Sequence, residues 1–200
     1  MNASRKLLFG PLAAALFSVG IALLPAMIPG YDAVRQTVSE IGEMDSPARI
    51  PFAILLIAVS ACVVVFAVGL GQLSRRLQRP AWAAWLTVCM AASAAGIAIF
   101  AYPHPLHNVF GLSELVGYQA PWVLALSWRG ATGMRRVVAF SWIMTAVVWA
   151  MIIANLATLD RSSALWLAER PVYGLVQRAL FASFFVWLTA VGLLAPPSRA

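Results

Sequence analysis

The chain carries six stretches, at 7–28, 51–73, 82–102, 111–128, 137–156 and 172–194, each holding about 20 predominantly apolar residues. A helix rises about 1.5 Å per residue, so each stretch reaches across a hydrocarbon core of about 30 Å. In lipid every backbone N–H and C=O must be paired within the structure, which leaves helices and closed barrels as spanning forms. Runs of this length, without polar alternation, read as helices. The sequence therefore predicts an all-α bundle of six transmembrane helices, forming a single domain over 1–200. Composition agrees: 62% of residues are hydrophobic and 10% are charged, against about a quarter charged in a soluble domain.

Two stretches need argument. The fourth contains Glu114, Gln119 and Pro121, and is retained because the charge pattern requires a crossing there. The first follows Arg5 and Lys6 as a signal peptide would. Its apolar run is longer than the roughly 7–15 residues of a signal core, so it is read as an uncleaved span.

Orientation follows from Lys and Arg in short loops. One set of connections holds Arg5, Lys6, Arg75, Arg76, Arg79, Arg129, Arg135, Arg136 and Arg199. The other holds Arg35, Arg49, Arg161, Arg170 and Arg178, together with every acid: Asp32, Glu40, Glu43, Asp45, Glu114, Asp160 and Glu169. The expected topology places both termini in the cytoplasm of a bacterial inner membrane, with the acids outside. The net charge of +7 does not indicate a nucleic-acid partner, because the arginines cluster between apolar runs and build no continuous basic face. Cys62 and Cys89 lie within apolar runs and form no disulfide framework.

The connections on the acidic side are the longer ones. In the first, Val34, Val38 and Ile41 recur at helical spacing, predicting a short amphipathic helix in the membrane interface with Arg35, Gln36 and Glu40 on its polar side. Gly42 can end that helix, and Pro47 prevents its continuation.

The candidate functional residues fall on the same side. Ser39 and Glu40 form either a solvated helix face or a polar group folded over the mouth of the bundle. His104 and His107 flank Pro105; they lack the ligand set of a zinc site, so no metal and no cofactor is expected. Glu114 and Arg178 lie within spans, where charge is costly and faces the bundle interior. They read as an ion pair, or as a polar floor on which the guanidinium fork of Arg178 grips an anion, with Gln177 and Asn155 adding donors.

With these residues placed, a resemblance emerges. Tyr31-Asp32 followed by Ser39-Glu40-Ile41-Gly42, then Tyr102-Pro103 with His107, then Gly174-Leu175-Val176-Gln177-Arg178, resemble in order the domain of unknown function 998 family of prokaryotic membrane proteins. The likeness covers nearly the whole chain. It implies a six-helix integral membrane protein and no particular activity. His104 departs from the acidic or polar residue expected after the proline, which makes His107 the better candidate for a shared role.

Three functions follow as expectations. The first is a protein that binds or handles a membrane lipid or other small amphipathic, anionic ligand at an outer polar site built from Ser39, Glu40, His107, Glu114, Gln177 and Arg178. The second is an intramembrane lipid hydrolase or transferase using His107 with Glu40 or Glu114 as acid and base. The third is a small transporter or an accessory subunit of a membrane complex. It is disfavoured because most spans hold no ionisable group.

Overall fold

The computed structural model describes residues 1–195 and, at Thr158, the backbone alone. Arg199, counted above among the basic residues, lies outside the described residues. Among the described residues the secondary structure is helical, without strands, and six helical spans are long and apolar enough to cross a membrane.

The first span comprises α1 (Ala3–Leu7), α2 (Phe9–Leu23) and a 3-10 turn (Leu24–Met27). Asn2 caps it, accepting from the Arg5 N–H. Pro11 has no N–H to offer the Leu7 carbonyl. That oxygen instead faces the sixth span, where a Cβ on Gly192 would stand 2.5 Å from it, so the two helices cross backbone to backbone. A one-turn helix, α3 (Val38–Ile41), follows in the connecting loop. The second span is α4 (Arg49–Arg76) and the third α5 (Trp82–Ile99). The fourth is broken into α6 (Pro105–Gly117) and α7 (Ala120–Ser127). The fifth is α8 (Arg135–Leu156), and after a short α9 (Ala164–Glu169) the sixth is α10 (Tyr173–Leu194).

The spans form a ring in chain order: α2 packs on α4, α4 on α5, α5 on both halves of the fourth span, α7 on α8, α8 on α10, and α10 back on α2. Phe66, Phe184 and Trp187 interlock at its centre. Two buried tryptophans are pinned across helices by hydroxyls, Trp128 Nε1 donating to Ser74 and Trp187 Nε1 to Ser141. In each span between 22% and 50% of the most apolar window is buried. The remainder, including Ile54, Trp85, Ile143 and Leu193, faces outward, as lipid-facing surface does and as water-facing surface does not.

The break in the fourth span decides the shape of the molecule. Pro121 cannot donate to the Gly117 carbonyl, and the Gln119 N–H turns to Val116. The Gln119 side chain then donates to the abandoned Leu115 carbonyl at 2.9 Å. Beyond this break α7 packs against α5 and α8, whereas α6 follows α5 and leaves a cleft toward α8 and α10.

The fourth span starts earlier than the 111–128 expected, because Pro105 serves as the first helical residue behind the His104 cap. The helix expected over 34–41 is shorter. Thr37 holds an extended conformation as N-cap, so helix begins only at Val38. Val38 and Ile41 are buried in the bundle, while Val34 is exposed.

Candidate functional site

The loop between the first two spans is fastened to the start of α10. Arg178 Nη1 donates to the carbonyls of Ala33, Gln36 and Gly174 at 2.9, 2.8 and 2.9 Å. Its Nη2 donates to the Tyr31 hydroxyl at 2.6 Å, and that hydroxyl donates onward to the Thr37 carbonyl at 2.7 Å. Gln177 Oε1 accepts from the Val38 N–H at 2.6 Å, and the Leu175 N–H donates to the Val34 carbonyl. At Gly174 the loop backbone comes so near that a Cβ would stand 2.4 Å from the Gln36 oxygen. Burial pushes the Tyr31 phenol above its ordinary value, and the neighbouring Arg178 guanidinium offsets part of that shift.

Glu40 belongs to the same fastening. Its Oε2 accepts from the Thr37 N–H and, at 2.7 Å, from the Thr37 hydroxyl, while the Glu40 N–H donates back to Thr37 Oγ1 at 3.3 Å. This is a capping box. The carboxylate starts a helix and does not face the cleft.

The structure thus separates residues that the sequence grouped. Arg178 and Glu114 form no ion pair. The guanidinium is occupied by the Gly174 carbonyl and by those of Ala33 and Gln36, which lie ahead of α3 in the irregular part of the loop. Glu114 lies nine residues beyond Pro105, where the fourth span begins, about 13–14 Å along its axis.

Four of the six predicted residues share one cavity. The cleft between α6, α8 and α10 has a volume of about 440 Å³ and is lined by Ser39, His107, Glu114 and Gln177, with Asn155 and Tyr173 opposite. His107, Gly111, Glu114 and Tyr118 all line it from the fourth span, a spacing that aligns them on one helix face. The ring of His107 is held by its Nδ1 at 2.9 Å from the Phe100 carbonyl and meets Tyr102 edge-on. With Nδ1 fixed in this way, Nε2 is the nitrogen left for other partners. A Cβ on Gly111 would meet nothing within 4 Å, so the cleft is open there. The Ser39 carbonyl accepts from the Gly42 N–H, while its hydroxyl makes no hydrogen bond among the described residues.

Behind the cleft, toward the bundle centre, lies a smaller chamber of about 50 Å³. Ser39, Glu114 and Tyr118 line both spaces. Ser60 and several phenylalanines close the chamber. Neither Ser60 nor Tyr118 is among the candidate residues read from the sequence above. The spacing of Tyr118, one turn after Glu114, was the available signal. Among the described residues no group of three or more His, Cys, Asp or Glu side chains could hold a metal.

Six spans of this length and polarity, with a strand-free interior, define a multi-pass membrane protein. The chain matches the family described as Protein of unknown function (DUF998) over residues 11–194, and it belongs to that family. No curated protein and no solved structure matches it.

Proposed function

We propose that this protein binds a membrane lipid or another small amphipathic molecule in the cleft between the fourth, fifth and sixth spans. The observation carrying this reading is the convergence of Ser39, His107, Glu114 and Gln177 on one cavity of about 440 Å³, within the range of roughly 300–1,000 Å³ usual for ligand sites. Apolar walls with a few convergent polar groups suit a molecule that is itself part apolar and part polar. By the excess of Lys and Arg at the other end of the bundle, the cleft faces the periplasm and both termini the cytoplasm of a bacterial inner membrane.

The donors of Arg178 are occupied by backbone carbonyls and Tyr31, so an anionic head group would depend on Arg161, which lines the cleft. The hydrolase reading has less support. Glu40 is held in a helix cap, and His107 and Glu114 are seven residues apart on one helix, about 10 Å along the axis. At that spacing the two do not form a hydrogen-bonded acid–base pair, and each would have to reach a substrate held between them.

The test fills the cleft where it is open. Delipidated protein in detergent is titrated with a mixture of zwitterionic and anionic phospholipids, and occupancy is read by native mass spectrometry. Wild type is expected to retain bound lipid and Gly111→Phe to lose it, with unchanged thermal stability. Equal occupancy in both overturns the proposal.

A further inference from the structure

The chamber behind the cleft combines three things seldom found together in a bundle core. The first is an acid with no cation beside it in the chamber. Glu114 is 8% exposed; among the described residues Tyr118, Ser39 and Ser60 are the polar residues that share the chamber with it, while His107 and Arg161 line the outer cleft and not the chamber. The second is a pair of buried hydroxyls with little to bond to. Ser60 and Tyr118 are 6% and 3% exposed; among the described residues Ser60 Oγ makes no hydrogen bond, and the Tyr118 hydroxyl has the Glu114 carboxyl as its one polar neighbour. Other span hydroxyls, at Thr87, Ser93 and Thr145, each bond back to the carbonyl four residues earlier. Ser60 leaves that option unused and lines the chamber. The third is a wall of aromatic rings. Phe17 stacks on Phe185 with centroids 4.7 Å apart and meets Phe181 edge-on at 5.4 Å. Tyr118 stands perpendicular to Phe184 at 5.6 Å.

Each feature selects among ligand groups. A carboxylate or phosphate would face the Glu114 carboxyl and the electron-rich ring faces. An alkyl group would fill the space and leave the Ser60 hydroxyl unpaired and the Glu114 carboxyl with no counter-charge, at a cost in an apolar interior. An alkylammonium group is attracted by ring faces within about 6 Å and is the missing counter-charge to Glu114. The volume of about 50 Å³ suffices for a few heavy atoms, given that one water needs about 10–15 Å³. Access runs from the cleft past Ser39, Glu114 and Phe181, which line both spaces.

We infer that the chamber receives the ammonium head of an amphipathic ligand, with Glu114 as its counter-ion and the phenylalanine rings as its cage. The inference rests on the amphiphile-binding reading above, and adds the charge of the head group and its place.

Calorimetric titration of the purified full-length protein with hexyltrimethylammonium, hexanol and hexanoate separates the two. The ammonium probe is expected to bind about tenfold tighter than the alcohol, the scale of a desolvated cation–π site, and the carboxylate weaker than either. Glu114→Gln, close in shape to the native residue, is expected to abolish the preference for the cation. Phe181→Leu is expected to reduce it, and serves as the second variant if Glu114→Gln does not fold. Probes that bind alike and are all displaced by Gly111→Phe would overturn the ammonium assignment and leave the cleft as a ligand site. A cation preference that survives Glu114→Gln with native thermal stability would do the same. If no probe binds wild type, or none responds to Gly111→Phe, both readings fall.

Discussion

Arg178 donates a 2.6 Å hydrogen bond to the hydroxyl of Tyr31, joining the sixth span to a residue 147 positions earlier in the chain. The same guanidinium holds two further loop carbonyls, so one side chain supplies the partners that secondary structure would otherwise give this loop. The loop it secures carries Ser39 to the cleft.

Replacing Arg178 by Met is expected to cost about 3 kcal/mol, because several charge-assisted bonds are lost and the carbonyls stay partly buried. Arg178→Lys is expected to recover less than half of that, since an ammonium cannot reproduce the planar fork. Thermal unfolding in detergent measures both. A lysine variant as stable as wild type would show that charge alone is needed.

Gly174→Ala tests the close approach directly. Its Cβ would stand 2.4, 2.6 and 2.9 Å from three backbone oxygens of the loop, atoms that cannot swing aside as a side chain could. A loss of about 1–3 kcal/mol is expected. Limited proteolysis within 31–42 should quicken in parallel.

Glu40→Ala should behave as loss of a helix cap, costing about 1 kcal/mol. Its affinity for hexyltrimethylammonium should be unchanged, because the carboxylate faces Thr37 and not the cleft. A large loss of binding at native stability would return Glu40 to the site.

Ser141→Ala leaves the Trp187 N–H, bonded to it at 3.0 Å, unpaired within the bundle. The expected cost is about 0.6–2 kcal/mol, the range for interhelical hydrogen bonds in membranes. Trp187→Phe combined with Ser141→Ala should show a coupling of that size in a double-mutant cycle.

Tyr31 gives a pH dependence with a defined sign. Its phenol is raised above the ordinary 10.0, chiefly by burial, so the fold holds this proton more tightly than the unfolded chain does. Its contribution to stability is complete below pH 10.0 and declines as the pH rises beyond it. Stability followed between pH 9 and 11 should fall more steeply in wild type than in Tyr31→Phe. In Arg178→Met the phenol should ionise at a still higher pH, because Arg178 lowers its value.

The six spans and the alternation of basic and acidic ends were legible in the sequence, because lipid imposes a length and an apolar composition on every crossing residue by residue. The four side chains that share the cleft were also named in advance, since polar groups within or beside apolar runs stand out by their cost. The structure sets Glu40 and Arg178 apart from that cleft. Both of those residues satisfy backbone groups of a loop whose path depends on where α10 begins, and hydropathy carries no record of that path. The chamber around Glu114 was hidden for a related reason: Phe17, Phe52, Ser60 and Phe181 come from three spans and read as ordinary lipid-compatible residues in each. What the sequence alone determined was the number of crossings and the side on which polar chemistry collects. Which polar groups fasten the fold and which remain free for a ligand was decided by tertiary structure, through the break at Gln119 that swings α6 away from α8 and through the carbonyls that Arg178 must satisfy.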